Sequence, residues 1–116
     1  MRTGRQLVAI LNIKTTHDIE TGEESKTVES GIQLAANVDL VGIMTAQLGQ
    51  AQGFNLKFSV EVPRLLYNEQ KFVYFQDRLY TVKSFSKAKR PATMLLNIEE
   101  CDDKNISEAV KEWLMR

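Results

Sequence analysis

Apolar and polar residues alternate with period two along much of this chain, the pattern of strands with one buried face. The clearest run is Phe54, Leu56, Phe58, Val60 and Val62, with Asn55, Lys57, Ser59 and Glu61 between them. Pro63 lacks a ladder donor and is expected to end that strand. A second run is Ile32, Leu34, Ala36, Val38 and Leu40. A third is Leu7, Ala9, Leu11 and Ile13, but Val8 and Ile10 make it apolar on both faces. Such a strand is expected to be covered on both sides, or to pair with another subunit. Residues 71–85, KFVYFQDRLYTVKSF, read as a hairpin turning at Gln76–Asp77. Thr93 to Ile98 reads as a further strand, entered through a turn at Lys87–Pro91.

Two segments follow a different pattern. Residues 43–51, IMTAQLGQA, are good helix formers apart from Gly49, and Gly53 can close the helix in a left-handed cap. Near the end, Ile106, Val110, Trp113 and Leu114 share one helical face, which predicts a helix over about 106–115 capped by Asn105 or Ser107. Residues 18–31, DIETGEESKTVESG, are polar, acidic and without periodicity, and read as a long mobile loop between the first two strands. The fold class predicted is mainly β: a small antiparallel β-barrel or sandwich of about six strands, with one short internal helix and a C-terminal helix.

Composition bounds the picture. At 116 residues, 43% hydrophobic and 26% charged, residues 1–116 make one ordinary globular domain. Fifteen bases balance fifteen acids, which argues against a general nucleic-acid binder. The balance hides blocks. Residues 17–31 hold five acids and one base, 57–90 eight bases and three acids, and 99–112 six acids and two bases. Such blocks read either as solvated strand faces and loops or as the opposed charged regions of a module that stacks on copies of itself or on charged neighbours. One Cys excludes an intramolecular disulfide, and one His leaves too few soft ligands for zinc. No apolar run approaches the roughly 20 residues a membrane helix needs.

Candidate chemistry is thin. His17 lies beside Asp18, but no Ser or Cys sits in a nucleophile-elbow context. Cys101 is flanked by Glu99, Glu100, Asp102 and Asp103, a setting that disfavours a thiolate, so it reads as a packing residue. The acidic runs lack the Asp-x-Asp-x-Asp-Gly spacing of a calcium loop. The expectation is therefore no enzyme: no catalytic residue, cofactor or metal. Lys83, Lys87, Lys89 and Arg90, with Phe85 between them, have the composition of a nucleic-acid patch. Lysines at a hairpin end also keep sheet edges soluble. A nucleic-acid-binding small barrel stays open as an alternative.

The order of segments carries a resemblance. An alternating strand (GIQLAANVDLVG) leads to a Gln- and Ala-rich helix (IMTAQLGQAQG), a strand FNLKFSVEVP, the hairpin FVYFQDRLYTVKSFSKA and a closing strand ATMLLNIEECD. In this order, residues 30–101 resemble the head-closure proteins of tailed bacteriophages, also called head–tail joining or stopper proteins. The resemblance implies a small antiparallel barrel, usually monomeric when isolated. In the virion neck such proteins assemble into a ring beneath the portal and its adaptor. The ring closes the DNA channel, with packaged DNA near at hand, and docks a tail-terminator or tail-completion protein. An adaptor or tail-completion role in the same connector is the neighbouring alternative. On this reading Glu20, Glu23, Glu24 and Lys26 serve channel or subunit contact. Met44, Gln47 and Gln50 serve docking, and Lys87, Lys89 and Arg90 face an acidic neighbour.

Overall fold

A computed structural model describes residues 4–116. The elements are β1 (Gly4–His17), β2 (Glu24–Leu40), α1 (Ile43–Ala51), β3 (Leu56–Pro63), β4 (Phe72–Phe75), β5 (Arg78–Lys87), β6 (Thr93–Glu100) and α2 (Lys104–Leu114). The six strands are antiparallel and close into a barrel in the order β1-β2-β3-β6-β5-β4. Closure comes from the short β1–β4 ladder, where Ala9 faces Tyr74, Ile10 faces Val73 and Leu11 faces Phe72.

The period-two pattern explains the interior. Leu56, Phe58, Val60 and Val62 are buried while their neighbours face out. Phe58 stands at the centre of an aromatic cluster. It meets Phe75 edge-on at 5.6 Å and Tyr80 edge-on at 5.7 Å, while Phe75 and Tyr80 stack at 4.8 Å. Val8, Ile10, Val38, Leu96 and Ile98 complete the fill.

The doubly apolar β1 finds its two covers within the chain. Val8 and Ile10 enter the barrel. Ala9 and Leu11 face outward and pack, with Tyr74 and Leu79, under Ile106 and Val110 of α2. The helical face read from the sequence is thus the lid over β1, and no second subunit is needed there.

The helices are close to expectation. Phe54 N–H donates to the Gly49 carbonyl at 2.8 Å and Gly53 N–H to the Gln50 carbonyl at 3.0 Å, with Gly53 at φ +85°: a Schellman end that closes α1. α2 starts two residues earlier than predicted, and its cap is neither Asn105 nor Ser107. The Asp103 carboxylate accepts from Asn105 N–H at 3.0 Å and Ile106 N–H at 3.2 Å. A carboxylate at that end satisfies open amides and also meets the positive pole of the helix. The 76–77 turn is present, and both residues have positive φ, 50° for Gln76 and 60° for Asp77. That is the hairpin turn whose twist matches its strands, built here without glycine.

Two expectations are corrected. Leu40 does not join the buried face of β2; it is 70% exposed, at the last rung of the β2–β3 ladder opposite Phe58. More important, residues 18–31 are not one long loop. Only 18–23 form a turn, and 24–31 belong to β2, paired with β1 from His17–Glu24 to Leu11–Gly31 around a bulge at Asn12/Ile13. The alternation was invisible because this part of the hairpin leaves the barrel. From Lys14 to Thr27 almost every residue is exposed, so neither face carries an apolar stripe.

Candidate interaction surfaces

The projecting hairpin is the most distinctive surface. Its turn is tied by Asp18. The Asp18 N–H donates to the Glu23 carbonyl at 2.8 Å, its carbonyl accepts from Gly22 N–H, and its carboxylate accepts from Glu20 N–H. Gly22 takes a left-handed φ of +73° there. Below the turn, the Thr16 and Ser25 hydroxyls share a 2.6 Å hydrogen bond and Lys26 Nζ donates to Thr15 Oγ1 at 3.3 Å. Of the residues singled out from the sequence, Glu20 and Glu23 lie in the turn and Glu24 and Lys26 on the first rungs of β2. They form an acidic, solvent-surrounded tip, with Ile19 fully exposed among them.

The base of the hairpin is braced by α2. Trp113 lies against Gly31, where a Cβ would come within 3.1 Å of the indole and 3.0 Å of Leu11 Cβ. Only glycine leaves room for that ring. Beside it runs an open groove of about 250 Å³ between Lys26–Val28 and Glu112–Arg116.

The second surface is α1. Met44, Gln47 and Gln50 are all exposed. Ile43 and Leu48 are exposed beside them. From Leu40 to Phe54 the chain carries no charged residue. Beneath α1 lies a buried polar knot. Asn97 accepts from Ser59 Oγ at 2.7 Å and donates to Ser84 and Ser86 at 3.1 and 2.8 Å. This network spans β3, β6 and β5 and fixes their register from the outer side, and no simple motif announces it.

The basic turn is less available than its composition suggests. Lys87, Lys89 and Arg90 are exposed, but they border a groove that also holds Asn37, Asp39 and Glu61. Arg90 sits 3.8 Å from Glu61, which also accepts from Asn37 and Thr93. Lys83 pairs with Glu99 at 3.7 Å and lies over the Phe54 ring. The patch offered to a phosphate backbone is thereby partly neutralised.

Cys101 packs beneath α2 with Leu79 and Val110. Burial pushes the hydroxyls of Tyr67, Tyr74 and Tyr80 above the ordinary tyrosine range, reinforced by Glu69, Asp77 and Glu100 respectively; Arg78 opposes this at Tyr80. These phenols stay neutral near pH 7 and act as packing groups. Among the described residues no group of three His, Cys, Asp or Glu side chains converges as metal ligands do, and no helix is long and apolar enough to cross a membrane.

No protein-family model and no curated protein matches the chain. Among solved structures it is similar to protein SF1141 from Shigella flexneri 2a, at 21% identity and a TM-score of 0.62, covering 88% of this chain and 96% of that one. The likeness establishes a shared fold.

Proposed function

We propose that this protein is a structural component of a bacteriophage head–tail connector. Copies assemble as a ring in the virion neck, beneath portal and adaptor, close the DNA channel and offer the tail a docking surface. The observation that carries this reading is a closed barrel from which a two-stranded hairpin with an acidic tip stands clear. Such a body is built to meet neighbours. The segments that resemble head-closure proteins fall on β2 from Ser30 onward, α1, β3, the β4–β5 hairpin and β6, which are five of the six barrel strands and the internal helix. The neutral apolar α1 is the docking face on this reading, and the acidic tip faces the channel or the next subunit.

The test is retention on immobilised portal–adaptor rings. The protein is expected to be held by the rings and not by empty support, and to show no salt-dependent anisotropy change with single- or double-stranded DNA. No retention would overturn the connector reading. Micromolar DNA binding in its place would establish the nucleic-acid alternative.

A further inference from the structure

The barrel has no open edge, but the hairpin has two. On its far side β2 pairs with β3 only from Asn37 to Leu40. Pro63, which has no N–H, occupies the place where that ladder would run on toward Ala35. From Glu24 to Ala36, β2 therefore has β1 on one side and no strand on the other among the described residues. β1 pairs with β4 only from Ala9 to Leu11, so its outer edge is likewise open from Ile13 to His17. A two-stranded ribbon is marginal on its own, and an open edge is a template for another strand.

The direction of the open groups follows from the turn. Asp18 N–H donates across the turn to the Glu23 carbonyl, and bonded and non-bonded rungs alternate from there down the hairpin. His17–Glu24, Thr15–Lys26 and Ile13–Val28 are then non-bonded pairs. Their own N–H and C=O groups point away from the hairpin, to the β1 side from residues 13, 15 and 17 and to the β2 side from 24, 26 and 28.

We infer that the occupant of these edges is a second copy of this chain, with the β2 edge of one copy pairing with the β1 edge of the next. Two observations select this pairing. Two copies in the same orientation bring β2 of one beside β1 of the other antiparallel, as a continuation of the hairpin's own ladder. The charges also agree: the open β1 edge from Ile13 to His17 carries Lys14 and no acid, while β2 from Glu24 to Glu29 carries two acids and Lys26. Pairing β2 with β2 would gather four glutamates into one seam. The β2–β1 contact is heterologous, the kind that repeats into a ring or filament. It supplies the proposed ring with a seam and rests on the connector reading only for the choice of a second copy.

Proline at an outward-facing N–H removes an intermolecular donor and no hairpin bond. Lys26→Pro blocks the β2 edge and Thr15→Pro the β1 edge. Sedimentation equilibrium from about 10 µM to 1 mM should show the wild type associating as concentration rises. Each variant alone should lose at least tenfold in affinity, and an equal mixture should form pairs that grow no further, because each copy retains the edge the other needs. Near-UV circular dichroism checks that the barrel persists. Lys14→Glu leaves every backbone donor in place and should weaken association. A wild type that stays monomeric throughout, or a single proline variant that associates as the wild type does, overturns the seam. Ring retention that survives such a failure leaves the connector reading standing.

Discussion

Phe58→Ala should cost about 3–5 kcal/mol, the usual range for emptying a buried phenylalanine site. Its ring is 3% exposed, contacts Phe75 and Tyr80 edge-on and lies on β3, which links the β2 ladder to the β6 ladder. The stacked Phe75–Tyr80 pair loses its edge-on partner, and three strands surround the void, so little can collapse to fill it. Urea unfolding followed by circular dichroism measures the loss. Near-UV signal should fall at the same time, because the cluster holds three aromatic rings in fixed orientation. A change below about 1.5 kcal/mol would be small for an unrelaxed cavity of this size and would contradict the central packing.

Val110→Asp should release α2 while leaving the barrel interior filled. Val110 is fully buried on the outer face of β1, and a carboxylate there has no partner. Undocking forfeits the burial of Ile106 as well, so about 4 kcal/mol is at stake. Trp113 is the only tryptophan and packs against Gly31, so its emission reports the event. A red shift with reduced helical signal and a lower urea midpoint is expected, together with association through the bared Leu11, Tyr74 and Leu79. Unchanged emission and midpoint would show that α2 is not the lid over β1.

How much of this the residues announced depends on whether a segment has a buried face. β3 follows from alternation and α2 from its 3.6-residue stripe, because each presents one apolar side to a core, while the β4–β5 hairpin and β6 follow from aromatic, aliphatic and β-branched runs next to turn residues. β1 was ambiguous for a physical reason. Both of its faces are buried, and only the fold reveals that one cover is α2. The upper half of the hairpin could not be read, since a ribbon in solvent needs no apolar side and Glu24–Gly31 therefore resembles a loop. Its strand character survives in Thr15, Thr16, Thr27 and Val28, β-branched residues that favour extended backbone. The Asn97 network and the Gly31 seat escaped because each joins residues far apart in the chain. Among the candidate residues, Glu20, Glu23, Glu24 and Lys26 are brought together at one tip, and Met44, Gln47 and Gln50 share α1. The basic group is drawn into contact with Glu61.

The open edge of β2 can be read amide by amide. Hydrogen exchange in dilute protein should alternate along one strand: Glu24, Lys26 and Val28 fast, Ser25 and Thr27 slowed by their bonds to β1. Raising the protein concentration until copies associate should protect the three fast amides and erase the alternation. Even protection from Glu24 to Val28 in the dilute protein, or an alternation that persists through association, would contradict the account.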